Sequence, residues 1–110
     1  MSHDSTGRIR ALNDKLRQDL STGTAVMTNG IAAMGPEAVH RLVQTLSVFD
    51  DFCAANDPYS ERDFGAFEFE GVLVAFKIDY YDLDLCFHSP DPADASVTKR
   101  VITLMRLDEY

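Results

Sequence analysis

The sequence predicts an α+β protein: a single domain in which an antiparallel meander sheet carries helices packed on one face. Three observations predict it. Apolar residues recur at helical spacing over Ile9, Leu12, Leu16 and Leu20, and again over Val39, Leu42, Val43, Leu46 and Phe49. Residues 64–88 alternate with the period of strands. Turn signals at Glu70-Gly71 and Tyr81-Asp82 divide that stretch into three. A chain of 110 residues suits one domain, 1–110, in the order α-β-α-β-β-β-α. Its 45 % hydrophobic content supports a core without disulfide or metal; with Trp absent, Phe and Leu fill it.

The first helix lies within residues 1–22, capped by Asp4 or Ser5. Arg8, Arg10, Lys15 and Arg17 fall off its apolar stripe, so it is amphipathic and lies as a lid on the core. Thr24–Thr28, "TAVMT", reads as a short edge strand before an Asn29-Gly30 turn. Pro36 suits a first helical position and Glu37 the positive end of the next helix. Asp57-Pro58 bars that helix from continuing, because the residue before Pro avoids helical angles. His40 lies beside its stripe and reads as a surface residue.

A two-residue loop at Glu70-Gly71 places Phe69 opposite Val72, Phe67 opposite Val74 and Gly65 opposite Phe76. A second loop at Tyr81-Asp82 places Tyr80 opposite Leu83, Ile78 opposite Leu85 and Phe76 opposite Phe87. Both loops put apolar residues on one face, which predicts a three-stranded meander over 64–88. The outer face then carries Ala66, Glu68, Glu70, Leu73, Ala75, Lys77, Asp79, Asp84, Cys86 and His88, with Asp79 directly opposite Asp84. After the breaks in "SPDPAD", Asp94 or Ser96 caps a last helix over 94–107, with Val97, Val101, Leu104 and Met105 inward.

Formal net charge is −8, and it is uneven: residues 50–94 hold twelve carboxylates against Arg62 and Lys77. Direct binding to nucleic acid, which draws its affinity from neutralised phosphates, is disfavoured. A protein partner with a basic surface is favoured. An apolar run of roughly 7–15 residues marks a secretory signal, and about 20 a membrane span; neither pattern occurs. Cys53 and Cys86 form no CxxC, so the expectation is a cytoplasmic protein with two reduced thiols, Cys53 ending a helix among apolar residues.

Asp84, Cys86 and His88 near Asp79 are ligand types for a divalent metal, but a flat strand face with Lys77 in its middle is a poor cage. No cofactor or metal is expected. Asp57, Glu61 and Asp63 beside Tyr59 offer neighbouring carboxylates for acid–base work, and equally the local hydrogen bonds of a turn. No Ser/His/Asp or Cys/His signature, phosphate loop or HExxH occurs.

The motifs "NDPYSERDFGAF", "KIDYYD" and "SPDPAD", with a closing "DEY", resemble the bacterial domain of unknown function family 3768 from about Val26 to Tyr110. The motif positions are Asn56, Asp57, Pro58, Tyr59, Glu61, Asp63, Phe64 and Gly65, then Lys77, Asp79, Tyr80, Tyr81 and Asp82, then Ser89, Pro90, Asp91 and Pro92. Cys86 and His88 lie outside the pattern. The resemblance implies a small stand-alone protein of a kind often carried on plasmids and other mobile regions, and brings no activity with it.

The functional expectation is a non-catalytic binding or regulatory protein offering acidic residues and tyrosines to a basic partner: Asp57, Tyr59, Glu61, Asp63, Glu68, Glu70, Asp79, Tyr81, Asp82 and Asp84. One form is a nucleic-acid mimic that blocks a nucleic-acid-handling protein, of anti-restriction or anti-CRISPR type. The alternatives are a small hydrolase or transferase using the Asp57–Asp63 carboxylates, and a module that self-associates through an exposed edge strand.

Overall fold

The computed structural model describes residues 5–110, so the Asp4 cap lies outside the described residues. Helix α1 spans Ser5–Gln18 and is followed by a 3₁₀ turn, Leu20–Thr22, in which the Asp19 side chain accepts from the Ser21 N–H. Strand β1 is Thr24–Met27. Asn29-Gly30 does not make a bare turn: it opens a one-turn helix α2, Asn29–Ala32, before α3 at Pro36–Ser47. Strands β2, Phe64–Phe69, and β3, Val72–Tyr81, form the hairpin. Strand β4, Lys99–Arg106, follows a long loop, and a 3₁₀ turn, Leu107–Glu109, closes the chain.

The fold class is α+β, built on one four-stranded sheet in the order β1-β4-β3-β2. The hairpin register is Phe69–Val72, Phe67–Val74 and Gly65–Phe76. Positive φ at Glu70 (51°) and Gly71 (84°) is the geometry of a tight two-residue hairpin turn.

Two predicted elements are corrected. Residues 83–88 are not a third strand, and 94–107 is not a helix. The place beside β3 belongs to β4, which pairs with it antiparallel from Val74–Arg106 to Tyr81–Lys99. Only a single bridge, Tyr81–His88, remains for the loop, on the opposite edge of β3. The segment Val101-Ile102-Thr103 is β-branched, which suits a pleated surface, and Ile102 and Met105 are buried from opposite faces of a central strand. Val101, Leu104 and Met105 also fit helical spacing, but β4 is hydrogen-bonded on both sides, since β1 runs parallel to it from Thr24–Val101 to Met27–Leu104. The sheet is therefore mixed, with β1 at one edge as the sequence predicts.

One face of the sheet carries the core. Phe69, Val74, Phe76, Ile78, Tyr80, Ile102 and Leu104 pack with Ile9 and Leu16 of α1, Ile31 of α2, and Leu42 and Leu46 of α3. The ring of Phe49, just beyond α3, meets Phe52, Phe67 and Phe76 at centroid distances of 5.1–5.7 Å. The other face is not wholly wet: Ala75 and Met105 are buried, the final turn packs against β3, and Tyr110 lies 5.2 Å from the Phe64 ring.

Candidate protein-docking surface

Behind the loop end of the sheet lies a buried polar network. The apolar stripe of α1 is shared by two polar residues, Asn13 and Arg17, one and two turns after Ile9. Asn13 is fully buried and serves three partners. Its Nδ2 donates to the Glu61 carbonyl (2.9 Å) and to Tyr80 Oη (2.8 Å), while its Oδ1 accepts from Arg100 Nε (2.9 Å). Tyr80 in turn donates to Glu61 Oε1 at 2.8 Å. Burial first, then the Glu61 and Asp63 charges, hold the Tyr80 phenol far above its ordinary value, so it stays a proton donor. Arg17 was expected off the stripe. It is buried because Asp14 takes its Nη2 (2.5 Å) and the Phe52 ring takes its flat face, 4.9 Å from the centroid.

The Asp57–Asp63 segment is a built turn. Asp57 is buried, and its Oδ1 accepts from the Arg62 amide at 3.0 Å. Asn56 ties back to Cys53 N and Asp51 O. Ser60 and Arg62 both hold positive φ, 58° and 55°. Glu61 is spent on Tyr80, and Tyr59 stands out into solvent. A hollow of about 340 Å³ beside the turn includes Asp57 and Cys53. Cys53 is exposed and lies well past the end of α3, not within an apolar helix end.

Asp63 is different. Burial, and then the charges of Glu61, Asp57 and Asp79, raise its carboxyl above the ordinary value. It lines a shallow hollow of about 280 Å³ with Asp79, Tyr81 and His88, between the start of β2 and the Tyr81–His88 bridge. Asp79 faces Val101 across the ladder, not Asp84, and pairs with Lys77 at 3.3 Å on its own strand. Glu68 is exposed on the outer face. Glu70 is clamped by Arg41 through two contacts, 2.7 and 2.9 Å, which hold its carboxyl low and remove it as a free charge. Among the described residues no group of three or more His, Cys, Asp or Glu side chains could hold a metal ion.

The loop from Asp82 to His88 carries what the sequence placed on the wrong side. Leu83, Leu85 and Phe87 were assigned to the core face; each is more than half exposed, Phe87 76 %. The loop is nevertheless tightly held. Asp82 Oδ1 accepts from Cys86 N (2.9 Å), Asp82 O from Leu85 N (3.0 Å), and Phe87 O from Asp82 N (2.8 Å). Leu85 sits at φ 59°, a conformation that disfavours a leucine. Asp84 is exposed between the two leucines.

Three motif stretches, 56–65, 77–82 and 88–92, thus meet at one end of the sheet, tied by the more distant Asn13 and Arg100. A family model described as a protein of unknown function, DUF3768, matches residues 27–109. The chain belongs to this family. No curated protein and no solved structure matches it. The DUF3768 match begins after α1, yet Asn13 of that helix bonds Glu61 and Tyr80 inside the matched region. Sequence reasoning missed Asn13 and Arg100; the one available signal was phase, since Asn13 lies four residues after Ile9 and four before Arg17.

Proposed function

We propose that this DUF3768 member is a non-catalytic binding protein that docks on a protein partner whose surface is basic around an apolar groove. The observation that supports it most is the Asp82–His88 loop. Three large apolar side chains stand exposed on a loop held by its own hydrogen bonds, with Asp82 and Asp84 interleaved. Apolar anchors on a pre-ordered loop lose little entropy on docking, and a rim of carboxylates selects a basic partner. Asp63, Asp79 and Tyr81 extend the same surface. A nucleic-acid-handling protein is one such partner, and a mobile-element setting, with anti-restriction or anti-CRISPR action, fits it by analogy alone.

The hydrolase reading is weaker. Asp57 and Glu61 are engaged in the turn and the network, and the hollows beside them are open and shallow. Self-association through β1, whose four residues are all exposed, is the remaining reading; light scattering decides it.

The test is capture from nuclease-treated host lysate by tagged wild type, by Leu85→Asn/Phe87→Ser, and by Asp79→Lys/Asp84→Lys. A basic protein should be captured by the wild type, lost with the apolar variant, and weakened by the charge variant or by added salt. Equal recovery by all three would end the reading. No helix among the described residues is long and apolar enough to cross a membrane.

A further inference from the structure

Beside the Asp82–His88 loop, whose Leu83 also lines the neighbouring hollow, the surface changes sign. A hollow of about 440 Å³ opens between the end of α1, the Leu20–Thr22 turn, β1 and the start of β4. Three cations line it, Lys15, Lys99 and Arg100, and no carboxylate does. In a chain of eighteen acids and ten bases that is an unexpected place to find cations without carboxylates beside them. Among the described residues, neither lysine has a carboxylate within ion-pair distance. The neighbouring Asp19 is occupied by the amide and hydroxyl of Ser21.

Arg100 adds an independent observation. It is only 7 % exposed, and its two hydrogen-bond acceptors, Asn13 Oδ1 and the Pro92 carbonyl, are both neutral. Among the described residues it forms no ion pair. A buried cation without a direct counter-charge is costly, and burial lowers its hold on the proton. The remaining wall includes Leu12 and Leu83, which are apolar, and Thr24.

We propose that this hollow binds a small organic phosphate, a phosphate monoester on a partly apolar body. Its head is held between Lys15 and Lys99, and Arg100 belongs to the same lining. The leucines receive the body, because the hollow is of the size of small-molecule sites, roughly 300–1,000 Å³, and exceeds what a bare oxyanion fills. Two ammonium groups beside a buried guanidinium favour a dianionic head over a monoanionic one.

Calorimetric titration of the full chain at low salt tests this, with phenyl phosphate, inorganic phosphate, benzoate and benzyl alcohol as probes. Phenyl phosphate should bind saturably and at least about tenfold tighter than inorganic phosphate or benzoate, and benzyl alcohol should give no binding heat. Lys15→Gln/Lys99→Gln should weaken phenyl phosphate by about tenfold or more with little change in the melting temperature, since among the described residues neither lysine makes an ion pair. Asp79→Lys, at a residue that does not line the hollow, should bind it as the wild type does. Wild-type affinity in the lysine variant, benzoate equal to phenyl phosphate, or no saturation by the wild type at about 10 mM would overturn the proposal. None of these outcomes depends on whether the acidic loop binds a protein.

Discussion

Asn13 is a short side chain that satisfies groups from three distant segments: the Glu61 carbonyl, the Tyr80 hydroxyl and the Arg100 guanidinium. Removing it leaves all three short of a partner in a place water does not reach. Asn13→Ala should therefore cost about 2–4 kcal/mol, read as a lower midpoint in urea unfolding. A loss near that of an exposed Asn would show that water replaces the amide. Asp63 makes the opposite prediction. Burial, reinforced by Glu61, Asp57 and Asp79, raises its carboxyl, so the folded chain holds a proton where the unfolded chain has released it. Stability then falls as pH rises through that window. Asp63→Asn should melt higher than the wild type at pH 7, with the gap closing as pH falls toward the ordinary carboxylate range near about 4. A variant that melts lower at pH 7 contradicts it. Such a carboxylate, charged at a cost, is the kind a basic partner would relieve.

The β2–β3 hairpin was legible because its information is local. The alternation and the Glu70-Gly71 turn agree, and the structure keeps the register residue for residue. Gly65 shows what the pattern did not carry. A Cβ there would stand 2.7 Å from Phe49 Cε2 and 3.1 Å from Phe76 Cζ, so the glycine makes room for the aromatic cluster beyond α3. Gly65→Ala should cost about 1–3 kcal/mol in chemical denaturation. An unchanged midpoint would mean that the Phe49 ring yields freely. The Leu83–Phe87 alternation was misleading for a physical reason. Period two marks a strand only if a ladder is available, and the adjoining edge of β3 is taken by β4.

The last turn is joined to the start of α2 through Glu109. Its Oε1 accepts from Thr28 Oγ1 (2.6 Å) and Arg106 N (2.8 Å), and its Oε2 from Gly30 N (3.1 Å). These bonds depress its carboxyl, so the stability it adds is present above the ordinary carboxylate range and is lost as pH falls through the depressed value. Glu109→Gln should lower the melting temperature at pH 7 and match the wild type in strong acid. A constant gap at all pH values would show that the contact acts through shape alone. Gly30 permits the approach, since a Cβ there would lie 2.6 Å from Glu109 Oε1. At the same scale the charge is divided, with Leu83 at the junction: carboxylates on the loop end of the sheet, a cation-lined hollow beside β1.

The sequence by itself determined the α+β class, the helices α1 and α3, the hairpin and its register, and the family. All but the family follow from spacings within one segment or across one tight turn, whereas the pairing of β1 was not decidable from it. Only the tertiary structure decided that 99–106 is a central strand, that 83–88 is an exposed loop, and that Asn13 and Arg100 join the motif segments from within the core. A short apolar run is compatible with helix and strand alike, and the choice falls to the partners that supply its hydrogen bonds. Those partners, β1 and β3, lie about twenty to seventy-five residues away in the chain, beyond the reach of any local period.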